Sequence, residues 1–170
     1  MKFFKDTQII FEQSLNGLTE NEVNSYFPQF FQGKDLFIEF YKQTNGGYFT
    51  HGAVFYRDHF NIDNLKDYNA MEVESFNFIK SNQYVKSDYL LSICEVIRYR
   101  SNASSKLQNF IKNNIPFAGD VGDNDYWIEI PTGRIRYTHS TDPDWADNII
   151  DIAPSFYDFC LYLQSKRRVL

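Results

Sequence analysis

The sequence predicts an α+β fold in a single domain, and three observations predict it. Two stretches, Lys34 to Gln43 and Ser155 to Gln164, carry aromatic and aliphatic residues at helical spacing. A third, Tyr126 to Tyr137, alternates with a period of two around a Pro-Thr-Gly turn, which is the pattern of a β-hairpin. The 170 residues include 17 Phe, 12 Tyr and 2 Trp, enough apolar bulk for one sizeable core without staples.

The elements follow in order. Asp6 to Leu15 reads as a short helix closed by Asn16-Gly17. Thr19 and Glu22 have capping-box spacing, so a helix starts there, carries Val23, Tyr26 and Phe27, and stops at Pro28. Lys34 to Gln43 presents Leu36, Phe37, Phe40 and Tyr41 and ends at Thr44-Asn45-Gly46-Gly47. Tyr48 to Tyr56 and Met71 to Ile79 read as strands, with a polar loop from Arg57 to Ala70 between them. Ser87 to Arg98 reads as a helix on Leu90, Cys94 and Ile97, and Lys106 to Lys112 as a shorter one. Ile115 to Ala118 is a short strand, Asp120 to Asp125 a polar turn, and the hairpin follows. One hairpin face is Tyr126, Ile128, Ile130, Ile135 and Tyr137. The other holds Glu129, Arg134 and Arg136, placed for cross-strand ion pairing, and Trp127. Ser155 to Gln164 closes the fold with Phe156, Phe159, Cys160 and Leu163 in one stripe, and Lys166 to Arg168 complement its dipole. The domain is expected to span 1–170, with its core at about 18–164.

The formal net charge of −5 is unevenly spread. Asp120, Asp123, Asp125, Glu129, Asp142, Asp144, Asp147 and Asp151 face only Arg134 and Arg136 within that segment, so 120–151 carries −6 and the remainder +1. Such a surface repels nucleic acid and anionic lipid and attracts a basic partner. No apolar run is long enough to span a membrane, and Met1 to Asp6 lacks the apolar stretch of a secretory leader, so the expected location is the cytoplasm. Cys94 and Cys160 are too few for a disulfide framework and read as buried thiols.

Catalytic signatures are sparse. The three histidines, His51, His59 and His139, form no zincin pair, and there is no nucleophile elbow, P-loop or cysteine pair for zinc. Asp120, Asp123 and Asp125 lie in a Gly-bearing turn where calcium is an alternative to a solvated turn, although the full EF-hand pattern is absent. No catalytic residue, cofactor or metal ligand is assigned. The candidate partner contacts are Asp123, Asp125, Trp127, Asp142, Asp144, Trp145 and Asp147. Trp145 sits among carboxylates, the composition of an anchored binding patch, with core packing as the alternative. Trp127 lies on the polar hairpin face, which calls for a partner or for cover by another segment of the chain.

Three stretches carry a family resemblance. The helix from Leu36 to Gln43 running into Asn45-Gly46-Gly47, the segment IPFAGDVGDNDYWIEIPTGRIRYTH from Ile115 to His139, and IAPSFYDFCLYL from Ile152 to Leu163 together resemble the SUKH superfamily, named partly for the yeast Smi and Knr cell-wall regulators. The central turn departs from the paired glycines of many members, and Tyr137-Thr138-His139 stands where many carry a tryptophan. The resemblance implies a twisted, mainly antiparallel sheet with helices packed around it. It also implies an immunity protein that neutralises a polymorphic or contact-dependent toxin by stoichiometric binding, the toxin being a basic nuclease. A regulatory scaffold of the yeast type and an enzyme acting on a small molecule are the alternative readings.

Overall fold

The computed structural model describes residues 1–60, 62, 69–82, 86–102, 105–140, 142 and 148–166. Its elements are β1 (Phe11–Glu12), α1 (Glu20–Tyr26), α2 (Lys34–Gln43), β2 (Gly47–Tyr56), a 3-10 turn (Arg57–His59), β3 (Ala70–Phe76), α3 (Ile93–Ser101), α4 (Ser105–Lys112), β4 (Asn114–Gly119), β5 (Asp125–Glu129), β6 (Ile135–Thr138), β7 (Ile150–Ala153), α5 (Phe156–Tyr162) and β8 (Gln164–Ser165). The sheet runs β1-β2-β3-β4-β5-β6-β7, every pairing antiparallel, and β8 also pairs with β2. This is the α+β architecture expected. No described helix is long and apolar enough to cross a membrane.

The Thr19/Glu22 capping box forms as read, with the Glu22 amide donating to Thr19 Oγ1 at 3.3 Å and the Thr19 amide donating to Glu22 Oε2 at 2.7 Å. Helix α2 has the bounds expected, and Phe37, Phe40 and Tyr41 are buried. The Asn-Gly-Gly that follows does more than end it. Asn45 is 1% exposed, donates from Nδ2 to the Ile79 carbonyl at 2.9 Å and accepts the Ile79 amide on Oδ1 at 2.7 Å. Gly46 has φ +74°, and a Cβ there would press on the Phe76 carbonyl; one at Gly47 would enter the Phe11 ring. The motif thus clamps the start of β2 to the chain leaving β3.

One face of the sheet is packed by α2 and α5 through a phenylalanine lattice, with α1 resting on α2. The Phe76 ring lies 5.2 Å from Phe40 and 5.5 Å from Phe117, and Phe156 lies 5.3 Å from each of Phe37, Phe40 and Phe117. Helices α3 and α4 cover β4 and β5 around a second, smaller cluster of Val96, Leu107 and Trp127, with Phe110 and Ile111 packed against it.

Four expectations need correcting. Asp6 to Leu15 is not a helix: Phe11 stacks on Phe49 at 4.7 Å from β1, and Asp6 accepts the Gln8 and Ser165 amides, so burial of the ring on the sheet outweighs local helix formation. Gly17 is not a left-handed cap. The helix expected from Ser87 begins at Ile93, because Ser92 and Glu95 form a capping box there while extended Ser92 bridges to Phe78, with the Phe78 amide donating to the Leu91 carbonyl and the Ile93 amide to the Phe78 carbonyl. After α5 the chain pairs with β2 as β8, so Lys166, expected to complement the helix dipole, instead forms an ion pair with Glu72. Residues 167 and 168 lie outside the described residues.

Candidate partner-binding surface

The acidic segment resolves into carboxylates with different tasks. Asp120 organises its own turn: Oδ1 accepts the Gly122 amide at 2.8 Å and the Asn124 amide at 3.1 Å, and Oδ2 accepts the Tyr137 hydroxyl at 2.7 Å. Asp123, at φ +60°, places its side chain at the rim of that turn, 66% exposed, where Arg100 Nη2 donates to it at 3.0 Å. Asp125 opens β5 and is 4% exposed. Arg100 Nε donates to its Oδ2 at 2.7 Å, and the Ser140 hydroxyl donates to the same oxygen. Burial pushes the Asp125 carboxyl up, while the bonds from Arg100 and Ser140 pull it down. Burial lowers the Arg100 guanidinium, and its bonds to Asp125 and Asp123 more than restore it, so its net shift is upward. With two donors converging on one carboxylate, the geometry is that of a charge-assisted pair.

Asp120 thus turns to its own loop and Tyr137 while Asp123 and Asp125 turn to Arg100. The three do not converge as calcium ligands. Among the described residues no group of three His, Cys, Asp or Glu side chains gathers to hold a metal.

The polar face of the hairpin is divided. Trp127, offered above as a partner contact, is fully buried under α3 and α4, its ring 5.2 Å from Phe110 in a T-shaped contact. Its Nε1 donates to Thr138 Oγ1 at 2.7 Å, and Thr138 lies 2.9 Å from the Ser140 hydroxyl. Cover by another segment of the chain is therefore what occurs. Asp125 is likewise interior. Neither side chain is on a surface: alternation gives Trp127 a face without saying which elements cross it, and Asp125, read as part of a polar turn, is the first residue of β5 and is covered by Arg100. Farther along the same face, Glu129 pairs with Arg136 at 2.9 Å, the cross-strand pair expected, and Asp151 of β7 adds contacts to Arg136 at 3.5 Å and Arg134 at 3.9 Å.

Asp142 is half-buried, its amide donating to the His139 carbonyl at 2.9 Å. Asp144, Trp145 and Asp147 lie outside the described residues. His51 is exposed on β2 and His139 packs edge-on to Tyr137 at 5.1 Å.

The structure adds a feature that sequence reasoning did not single out. Tyr56, Asp58, His59, Tyr162 and Gln164 line a pocket of about 220 Å³ at the end of β2. Only the run Tyr56-Arg57-Asp58-His59, an aromatic and charges at a strand end, hints at it locally; Tyr162 and Gln164 arrive from the other end of the chain.

A profile of the SMI1 / KNR4 family (SUKH-1) matches residues 35–161. No curated protein sequence matches the chain at a significant level. The matched span covers well over half of the chain, from the first turn of α2 through the sheet into α5, and this chain belongs to the SMI1 / KNR4 family (SUKH-1).

Proposed function

We propose that this protein is an immunity-type member of its family, which binds a basic toxin one-to-one and blocks it without catalysis. Family membership carries the reading. The charge distribution supports a basic partner, because 120–151 holds eight acids against two arginines. Internal pairing narrows the contact region. Asp120, Asp125, Glu129 and Asp151 serve the fold, so the partner-facing contribution falls to Asp142, Asp144, Trp145 and Asp147, together with the rim carboxylate Asp123. A nuclease toxin fits best, since its nucleic-acid cleft is basic and carboxylates substitute for phosphates there. The reading places the protein in the cytoplasm, where such a nuclease acts.

The test is a triple substitution of Asp142, Asp144 and Asp147 to Ala, titrated against the nuclease toxin that the wild-type chain neutralises. Affinity should fall and its salt dependence should flatten. Unchanged affinity with unchanged salt dependence would overturn the assignment.

A further inference from the structure

The pocket at the end of β2 gathers aromatic and polar side chains from distant parts of the chain. His59 lies on Tyr162 with ring centroids 3.6 Å apart and planes tilted by 34°. Phe60 abuts Tyr162 edge-on at 5.6 Å and stacks on Phe55, which stacks on Phe159 in turn, so the aromatic wall is anchored to the core. Tyr56, 38% exposed, comes from the last position of β2, and Gln164 comes from β8. The five polar ends are unengaged: neither hydroxyl, nor the Asp58 carboxylate, the His59 imidazole or the Gln164 amide bonds to another described residue, while elsewhere Tyr41, Tyr126 and Tyr137 all donate internally.

Aromatic faces with one carboxylate and one amide oxygen at the edge form a receptor for a planar cation. A ring quadrupole attracts a cation over its face, and a guanidinium offers both a stacking plane and a fork of donors. The chain shows this attraction itself, since Lys5 Nζ stands 5.8 Å from the Tyr162 centroid. Lys5 does not line the pocket, whereas Asp58 does. The location fits a basic partner. Arg57, immediately before Asp58 and only 2% exposed, donates from Nε to the Asp151 carbonyl at 2.8 Å, tying the pocket to the end of the acidic segment.

We propose that the pocket of Tyr56, Asp58, His59, Tyr162 and Gln164 receives the guanidinium of an arginine side chain presented by a protein partner. This rests on the reading of a basic protein partner and adds a specific receptor to it. The side chain enters with its plane against Tyr56, since His59 already lies on the Tyr162 ring, and its fork toward Asp58 and the Gln164 oxygen.

The test is an amide-resonance titration of the full chain with N-acetyl-arginine-N-methylamide, its citrulline counterpart and free arginine, without any toxin. Saturable shifts at Asp58, His59 and Gln164 are expected with the blocked arginine. Citrulline, or Asp58→Asn, should weaken binding by about fivefold, the scale of one exposed ion pair or cation–π contact. Tyr56→Leu should weaken it similarly, with the unfolding midpoint confirming that both variants fold. Absent shifts, equal binding of citrulline, or no effect of Asp58→Asn would overturn the receptor. Tighter binding of free arginine than of the blocked form would overturn the protein partner in favour of a small guanidino ligand. Because no toxin is present, failure here leaves the assignment of Asp142, Asp144 and Asp147 to its own experiment.

Discussion

Arg100 Nε and Asp125 Oδ2 are 2.7 Å apart, and this ion pair joins α3 to the hairpin. Both side chains are largely withdrawn from water, at 13% and 5% exposure. Removing one partner leaves the other charge buried. Arg100→Ala should therefore destabilise by about 3 kcal/mol, the lower end for breaking a buried pair, because water reaches the vacated space beside exposed Asp123. Asp125→Asn keeps an acceptor for Ser140 and Arg100 and should cost about 1.5 kcal/mol. Urea unfolding of the two variants checks the ranking; a costlier Asp125→Asn would show that the buried charge itself holds α3.

The Ser92/Glu95 capping box gives a pH dependence with a definite sign. The Ser92 hydroxyl donates to Glu95 Oε2 at 2.6 Å and the Ser92 amide at 2.8 Å. The hydroxyl bond is the largest influence on this carboxyl, and the net shift is downward. A depressed carboxyl adds stability that is present above its unfolded value and is lost as pH falls through the folded one. Glu95→Gln keeps the box geometry but does not titrate. The stability gap between wild type and Glu95→Gln should shrink from about pH 6 to about pH 3, read as urea midpoints at each pH. A gap that widens on acidification would reverse the assignment.

Clamping by Asn45 predicts a large effect from a small change. Asn45→Ala removes two hydrogen bonds to Ile79 and strands a buried amide and carbonyl, which should cost about 3 kcal/mol. Gly46→Ala forces a left-handed conformation worth about 1–2 kcal/mol on a residue whose Cβ also meets the Phe76 carbonyl. Each variant is measured by thermal and urea unfolding. Near-neutral results would mean that the Asn-Gly-Gly turn only terminates α2.

How far the sequence reveals this architecture depends on whether a signal is local. Helix α2, the Thr19/Glu22 box, the β5–β6 hairpin and the Glu129–Arg136 pair each write their reason within a few residues, and each was legible. The Ser92/Glu95 box was equally local but hidden by the Leu90, Cys94 and Ile97 spacing, which imitates a helix one turn too early. Strands β1 and β8 were not legible. Each is two residues long and exists because distant β2 offers an edge. For the candidate site, the charge of 120–151 was readable, but its internal neutralisation was not, since Arg100 comes from outside the segment. The five-residue pocket joins positions more than 100 apart and leaves no joint pattern in the chain.

Trp127 and Trp145 can be separated by light. Trp127 is fully buried, holds a hydrogen bond to Thr138 and lies against Phe110. In Trp145→Phe it is the sole indole, so emission should be blue-shifted and resistant to acrylamide. Adding the toxin proposed as partner should leave that emission unchanged, since a residue enclosed by α3 and α4 does not touch a partner. Trp127→Ala should destabilise by about 3–5 kcal/mol through the cavity it leaves. Trp127→Phe loses mainly the bond to Thr138, about 1 kcal/mol, and should still bind the partner with native affinity. Red-shifted, readily quenched emission from Trp145→Phe would place Trp127 at the surface and restore it as a contact. A response confined to the chain retaining Trp145 would locate the interface at residues 142–147.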